Sequence, residues 1–325
     1  MGTRDRSESV SSLTSDIELV RSTHALRRVL PHGFRSAVTR KRFAGLVLLM
    51  LGGCTVDGRT DGWIGAFGYA EASLHQIEIR DFGFPHIPVG IGGDTIWLPF
   101  DTGNMVGLTL ESRLFHGLDL PCSAESVRRD SGGRQVFAGC IAHDVRASVL
   151  GRVLDSTSIY EFSHERLPGL LGPGTIPGTR FTLDYSGHTL AVDSGTSEAI
   201  PGFTSLRLVK SPAHPRLILI QGRVRGHDVL IELDTGKSRT TVDAELVESL
   251  TLERTSTGAD VGLVEFGPRS ATVSSARVVQ TAGISEGLPL PISLGIGSDI
   301  LSGFLFTVDY ASGQIWIEDP REPAS

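Results

Sequence analysis

Short hydrophobic runs separated by Gly-containing turns dominate the chain from residue 74 onward. Residues 87–100 contain two such runs, one before and one after Gly92-Gly93-Asp94. Residues 217–233 likewise contain one run before and one after Gly226-His227-Asp228. Two short apolar runs that flank a Gly-containing turn predict a β-hairpin. With 39 Gly and 16 Pro among 325 residues, the composition also favours a turn-rich protein over a helical bundle. We therefore predict an all-β fold.

Both predicted hairpins end in the same three residues. Asp101-Thr102-Gly103 follows the first hairpin and Asp234-Thr235-Gly236 follows the second. Because Asp and Gly do not continue a strand well, each carboxylate is expected on the loop that leaves its strand. One such tripeptide makes an ordinary polar turn, whereas two in matching positions suggest a paired-acid site.

The segments after the two Asp-Thr-Gly loops match as well. A strand and a short helical piece are predicted at 107–114 and again at 240–247. Each half then ends in a strand that closes with Asp-Tyr, at Asp184-Tyr185 and at Asp309-Tyr310. This repetition in the same order predicts an internal duplication and hence two lobes.

Each half resembles a retropepsin-type aspartic protease domain, and the tandem resembles a pepsin-like enzyme with two lobes. The resemblance covers residues 74–317 and implies two retropepsin-like β-barrel lobes with the active site between them. We predict an N-terminal lobe at 74–192, a linker at 193–204 and a C-terminal lobe at 205–325. The tripeptide Asp193-Ser194-Gly195 falls in this linker. We interpret it as structural, because no second-lobe pattern of strand and helix follows it.

The resemblance also implies roles for single residues. Asp101 and Asp234 would be the catalytic acids. The residues that would lock the two loops together and let them approach closely are Thr102, Gly103, Thr235 and Gly236. The elements that would support the loops from beneath include Leu171, Gly172, Leu294 and Gly295. The chain departs from the family pattern directly after the two tripeptides, where Asn104 and Lys237 replace the usual Ala or Ser, and a Lys there can perturb the charge balance.

The function implied is that of an aspartic endopeptidase, in which Asp101 and Asp234 activate a water that attacks the peptide bond. Two carboxyls within hydrogen-bonding distance share one proton, as in known aspartic proteases. We expect a peptide or protein substrate, no cofactor and a monomer. The alternative is a catalytically inactive two-lobed lipoprotein that binds peptides or envelope partners. A third arrangement pairs each half with a half of another molecule, but the short linker favours pairing within one chain.

The first 54 residues predict a leader with a lipoprotein-type signal peptide. Arg40-Lys41-Arg42 precedes the apolar run 43–51, which is too short to span a bilayer, and Gly52-Gly53-Cys54 follows. This ending resembles a bacterial lipobox, which makes Cys54 the expected lipidation site. The alternatives are an ordinary signal peptide that contains a Cys and a short membrane anchor.

The lipoprotein interpretation predicts where the protein is located. The protein would be exported to a bacterial cell envelope, where only its lipid anchor would attach it to a membrane that faces the periplasm or the exterior. Residues 55–73 would form a tether between the anchor and the first lobe, and the alternative for this segment is a pro-segment.

Charge and histidine placement argue against two other classes of function. The formal net charge is −7, and no Lys and Arg stripe interleaved with aromatic residues occurs in the body of the chain. Nucleic acid is therefore not an expected partner. Neither a His-Glu-x-x-His motif nor paired Cys-x-x-Cys motifs occur, so no metal site is predicted.

Cys122 and Cys140 lie symmetrically about residue 131, which belongs to the predicted hairpin turn at 130–134. Cysteines placed in this way can face each other across two antiparallel strands, and disulfides persist in exported proteins. We predict a disulfide at the base of a flap, and the alternative is two buried free thiols. The loop at 256–260 is a candidate for a second flap.

Overall fold

The computed structural model describes residues 61–129, 135–176, 178–195, 200 and 203–319, and all of them belong to one compact unit. The predicted leader, Cys54 and the turn at 130–134 lie outside these residues. The described chain is mostly β, as predicted.

Helices in the described chain are short. The α-helices are α1 (Asp61–Phe67), α2 (Ser112–Gly117), α3 (Ala244–Ser249) and α4 (Ser298–Leu301), and 3-10 turns occupy Glu71–Ser73, Asp81–Gly83 and Pro173–Thr175. The strands of the first half are β1 (Leu74–Gln76), β2 (Glu78–Arg80), β3 (Phe84–Ile91), β4 (Asp94–Pro99), β5 (Leu108–Glu111), β6 (Ala124–Arg129), β7 (Gln135–Val149), β8 (Arg152–Phe162), β9 (Gly169–Leu171), β10 (Arg180–Asp184) and β11 (Thr189–Asp193). The strands of the second half are β12 (Ser205–Arg207), β13 (Leu219–Val224), β14 (His227–Leu233), β15 (Thr241–Asp243), β16 (Glu253–Thr255), β17 (Gly258–Asp260), β18 (Gly262–Phe266), β19 (Arg269–Val273), β20 (Arg277–Val279), β21 (Ile292–Ile296), β22 (Leu305–Asp309) and β23 (Gln314–Glu318).

Strands from both halves of the chain form one six-stranded sheet, in the order β1-β11-β10-β22-β23-β12. Its centre is the antiparallel pair β10–β22, in which Thr182 lies opposite Thr307. Their hydroxyl oxygens are 2.6 Å apart, and Tyr69 Oη lies 2.9 Å from Thr182 Oγ1. This pairing joins the two halves through backbone hydrogen bonds, which a buried sheet requires.

Each half also has a sheet of its own. Residues 78–171 build an eight-stranded sheet with the order β2-β3-β7-β8-β5-β9, in which β4 pairs with β3 and β6 pairs with β7. Residues 219–296 build a seven-stranded sheet with the order β19-β18-β13-β14-β21-β15-β20, beside the two-stranded β16–β17 hairpin. Both sheets therefore contain the hairpins that the sequence predicts.

The two main hairpins use the same turn chemistry. The residues between β3 and β4 are Gly92 and Gly93, and those between β13 and β14 are Arg225 and Gly226, and all four have a positive φ. Positive φ at both positions is the mark of the tight turn whose twist matches that of the flanking strands. This local geometry delivers the end of β4 and the end of β14 to equivalent places in the two halves.

The N-terminal helix belongs to the core, which differs from the tether that we expected at 55–73. Trp63 and Phe67 lie one turn apart on one face of α1, and both are buried together with Tyr69. They pack against side chains from β11, β22 and β23, and the ring centroids of Phe67 and Trp316 are 5.5 Å apart, edge to face. Residues 55–60 lie outside the described chain.

The predicted linker at 193–204 is held to the core where it is described. Asp193 is the last residue of β11 and forms an ion pair with Arg180. Ile200 is buried, and the ring of Phe203 lies 5.2 Å from that of Phe67. The Asp193 carboxylate is therefore occupied by a structural partner.

Candidate active site

The two Asp-Thr-Gly loops begin at equivalent points, just after β4 and β14 end. Asp101 N donates a hydrogen bond to Leu171 O at 2.9 Å, and Asp234 N donates one to Ile296 O at 3.0 Å. The strand that accepts is β9 in the first half and β21 in the second. Each aspartate backbone is thus held by a neighbouring strand, which orients the loop that follows.

In the structure, the element that supports the second Asp-Thr-Gly loop lies two residues after the predicted Leu294-Gly295. Because Ile296 supplies the accepting carbonyl, Ile296-Gly297 corresponds to Leu171-Gly172. A Cβ added to Gly172 would lie 2.1 Å from Asn104 O, and one added to Gly297 would lie 2.7 Å from Lys237 O. The sequence Gly295-Ile296-Gly297 offers two glycines, one inside β21 and one directly after it, and only the hydrogen-bond register distinguishes them.

The two threonines connect the loops through four hydrogen bonds. Thr102 Oγ1 donates to Leu233 O at 2.9 Å and accepts from Thr235 N at 3.0 Å. In the mirror arrangement, Thr235 Oγ1 donates to Phe100 O and accepts from Thr102 N, the latter at 3.1 Å. Both threonines are fully buried. Since an unpaired buried N–H or C=O is costly, these hydrogen bonds hold the two loops in one relative position.

Glycine is required at the third position of each loop because the opposite aspartate lies directly against it. A Cβ added to Gly103 would lie 2.5 Å from Asp234 Oδ2, and one added to Gly236 would lie 2.2 Å from Asp101 Cγ. Each carboxyl therefore reaches across to the opposite loop. Close backbone approach of this kind is a recognised use of glycine.

The two aspartate carboxyls are buried and share their environment. Both residues are 1% exposed. Gly103 N donates to Asp101 Oδ1 at 2.9 Å, and Gly236 N donates to Asp234 Oδ1 at 2.9 Å. Burial, and then the charge of Asp234, raise the pKa of Asp101 well above its ordinary range. A pair in this state can hold one proton and one negative charge at the same time.

Glu232 and Lys237 form an ionisable pair at this site, and the sequence pattern singles out only Lys237. Lys237 stands out in the sequence as a departure from the family pattern, whereas Glu232, inside the hydrophobic strand β14, was missed. Lys237 Nζ donates to Glu232 Oε2 and lies 3.1 Å from Asp234 Oδ2. Both side chains are largely buried. The sequence feature that could have identified Glu232 is a charged residue inside a hydrophobic strand. Such a residue, once buried, needs a partner of opposite charge.

Burial and mutual attraction act in opposite directions on this pair. Burial disfavours the charge of Lys237, but the Glu232 and Asp234 carboxylates together raise the pKa of Lys237. Burial raises the pKa of Glu232, and the nearby Lys237 ammonium partly offsets that rise. A Cβ added to Gly295 would lie 2.8 Å from Lys237 Nζ, so this glycine leaves room for the ammonium.

Cys122 and Cys140 form a disulfide in the structure, with their Cα atoms 5.1 Å apart. Cys140 lies in β7 opposite Glu125 of β6, and Cys122 lies two residues before β6 begins. The disulfide therefore joins the segment that enters β6 to the neighbouring strand β7. The turn of this hairpin, the candidate flap at 130–134, lies outside the described residues. Of the other flap candidate, residues 256–257 form the turn of the β16–β17 hairpin, and residues 258–260 form β17 itself.

Among the described residues, no helix is both long and apolar enough to cross a membrane. No group of three or more His, Cys, Asp and Glu side chains there is arranged to hold a metal ion. Lipidation at Cys54 stays a prediction, since that residue lies outside the described chain.

Neither the protein-family models nor the curated proteins with which the chain was compared match it.

Proposed function

We propose that the protein is an aspartic endopeptidase with two retropepsin-like lobes and the active site between them. Asp101 and Asp234 are the catalytic pair, and a peptide or protein is the substrate. The proposal is supported by the equivalence of the two loops, by their four connecting threonine hydrogen bonds and by their facing carboxyls.

One observation carries the proposal. The carboxyl of Asp101 lies against Gly236 and that of Asp234 lies against Gly103, which puts two buried acids of equivalent origin side by side. A folded protein gains no stability from two carboxyls in this position, because each disfavours ionisation of the other. Such an arrangement is typical of functional sites, where a perturbed pKa serves the chemistry.

The pair can perform general acid and base catalysis in one step. The ionised carboxylate takes a proton from a water molecule as the water oxygen attacks the peptide carbonyl carbon. The protonated carboxyl donates its hydrogen bond, and then its proton, to the carbonyl oxygen, which gives a neutral tetrahedral diol. Collapse of that intermediate breaks the C–N bond: the nitrogen takes the proton that the first carboxyl received from water, and a diol hydroxyl gives its proton to the other carboxylate. The pair then again holds its one proton on the carboxyl that carried it at the start.

A second candidate function is the binding of peptides without cleavage. Lys237 favours it, because an ammonium 3.1 Å from Asp234 Oδ2 can hold that carboxylate in an ion pair and weaken it as a base. In this case the loops would be retained for their structural role.

Peptide cleavage by the full chain distinguishes the two functions. The parent protein and the variants Asp101→Asn and Asp234→Asn are incubated with a mixed peptide library from acid to neutral pH, and products are identified by mass spectrometry. Each single variant is expected to lose at least about 1,000-fold in rate, because neither carboxyl alone can be both acid and base. Asp155→Asn is the matched control, since that aspartate is exposed, and it is expected to cleave like the parent.

The results of this experiment distinguish the endopeptidase from the binding function. Cleavage by the parent and the control, with both dyad variants inactive, supports the endopeptidase. A folded parent that cleaves nothing, or dyad variants that cleave at the parent rate, contradicts it and favours the binding function.

A further inference from the structure

The two halves differ in charge at the positions that flank their aspartates. In the second half, Glu232 lies two residues before Asp234 and Lys237 lies three residues after it. The equivalent positions of the first half hold the uncharged residues Pro99 and Asn104. Asn104 Nδ2 donates to Gly107 O at 2.9 Å, so it is engaged within its own loop. Only the second aspartate therefore has a buried cation beside it among the described residues.

The hydrogen-bond partners of the two carboxyls are correspondingly unequal. Asp234 Oδ1 accepts from Gly236 N, and Asp234 Oδ2 lies 3.1 Å from the Lys237 ammonium. Asp101 Oδ1 accepts from Gly103 N. Among the described residues, no N–H or hydroxyl group donates to the buried Asp101 Oδ2. An ionised carboxylate needs donors on its buried oxygens, and Asp234 has them on both, whereas Asp101 has a donor on one.

We propose that Lys237, held by Glu232, keeps Asp234 ionised and the shared proton on Asp101. Asp234 is then the base that takes the proton from water, and Asp101 is the acid that donates to the carbonyl oxygen. Lys237 acts through Asp234 and is therefore a positioning residue. This assignment of roles depends on the proposed endopeptidase function.

The charges in the cluster are consistent with this assignment. With Glu232 and Asp234 ionised, Lys237 charged and Asp101 protonated, the buried group carries one net negative charge. Ionising Asp101 as well would add a second negative charge without a further buried cation. Tyr185 of the first half, whose hydroxyl lies 3.3 Å from Ser298 Oγ, also interacts with the charge of Asp234. Burial raises the pKa of Tyr185, so it stays neutral over the working range. Burial of unbalanced charge is costly, which disfavours the doubly ionised pair.

The pH dependence of cleavage tests the proposal. The acid limb of the kcat/KM profile reports protonation of the base in the free enzyme. A cation near a carboxylate lowers its pKa by about 1 to 3 units, so Lys237→Met should move the acid limb to higher pH by about 1 to 2 units. Glu232→Gln removes a negative charge and leaves the cation, so it should move the limb to lower pH. The double variant should fall between the two single variants.

The opposite directions of these shifts distinguish an electrostatic role of Lys237 and Glu232 from a purely structural role. A structural role predicts that both single variants lose rate or stability without opposite shifts of the acid limb. An acid limb of Lys237→Met that coincides with that of the parent overturns the proposal, and so do shifts of both variants in the same direction. If Lys237→Met does not fold, Glu232→Gln decides alone, because a limb that is unmoved or moved to higher pH overturns the proposal.

A labelling experiment separates this inference from the endopeptidase function. A small epoxide esterifies an ionised carboxylate: the carboxylate oxygen attacks a ring carbon, the C–O bond of the ring breaks, and the alkoxide takes a proton from water. The parent is expected to be labelled at Asp234 in preference to Asp101, with the site mapped by mass spectrometry of peptides, and Lys237→Met is expected to lose that preference. Labelling of Asp234 in a parent that cleaves no peptide would uphold the charge assignment and reject the enzyme. Equal labelling of both aspartates, or preferential labelling of Asp101, would overturn the charge assignment whatever the cleavage result.

Discussion

Replacing Thr102 with Val isolates the hydrogen bonds that connect the two Asp-Thr-Gly loops. Valine has nearly the same shape as threonine and fills the same space, but it has no hydroxyl. The change leaves the buried amide of Thr235 without its acceptor and the buried carbonyl of Leu233 without this donor. The perturbation therefore removes polar contacts between the halves of the chain while it preserves packing.

The expected loss follows from the number of groups left unpaired. A buried donor or acceptor without its partner costs about 1 to 3 kcal/mol, so the two groups together should lower the free energy of unfolding by about 2 to 6 kcal/mol. Thr102→Ser keeps the hydroxyl and removes one methyl group, so it should cost only about 1 kcal/mol. Thr235→Val breaks the mirror-image pair of bonds and should cost about as much as Thr102→Val.

Urea unfolding measures these differences. Far-UV circular dichroism follows the sheets, and Trp fluorescence follows the buried Trp63 and Trp316, and overlapping transitions justify a two-state free energy. Thr95→Val is the matched control, because that threonine is exposed on β4, and it should stay within about 0.5 kcal/mol of the parent.

Two results would refute the reasoning. If Thr102→Val unfolds within about 0.5 kcal/mol of the parent, the hydrogen bonds do not hold the loops. If Thr102→Ser costs as much as Thr102→Val, the loss comes from packing and not from the hydroxyl.

Three further predictions follow from the same site and its surroundings. Gly103→Ala should reduce peptide cleavage by at least about 100-fold, because its Cβ would displace the opposite carboxylate from a productive geometry; Gly174→Ala, whose Cβ would meet open space, is the control, and equal rates would contradict the prediction. Replacing Cys122 and Cys140 with Ser should lower the free energy of unfolding by about 3 kcal/mol, as expected for a closed loop of this length; an unchanged urea midpoint would argue against the bond. Asp101→Asn should abolish cleavage and also change how stability depends on pH. Because the folded pKa of Asp101 is raised, stability present below its ordinary pKa is lost as the pH rises towards the folded value. The neutral Asn avoids this loss, so the urea midpoint of Asp101→Asn should exceed that of the parent by an amount that grows with pH. A difference that stays constant with pH would contradict this predicted pH dependence.

Local features of the structure could be predicted well from the sequence. The turn at Gly92-Gly93 lies where the sequence predicts it, and the turn predicted at Gly226-His227-Asp228 begins one residue earlier, at Arg225, because His227 and Asp228 already belong to β14. Both turns contain glycine at a position with positive φ, which glycine adopts whatever surrounds it. The strands before the two Asp-Thr-Gly loops follow for the same reason, because hydrophobic runs and turn residues act over a few positions. The duplication is visible because both halves repeat these local signals in the same order.

Features that depend on distant partners could not be read in this way. The choice of Gly297 over Gly295 depends on which carbonyl accepts from the aspartate amide, and α1 is part of the core only because Trp316 and its neighbours offer it an apolar surface. Residue types at neighbouring positions do not determine strand register between distant segments, and a buried surface exists only once those segments have packed.

The sequence by itself therefore determined the β class, the repeated hairpins and the presence of two Asp-Thr-Gly loops. The tertiary structure alone decided that the two carboxyls face each other across these loops and that Glu232 and Lys237 form a buried pair beside one of them. The physical reason is that turn and strand preferences act over a few residues, whereas the position and solvation of a charge depend on every group that the fold brings around it.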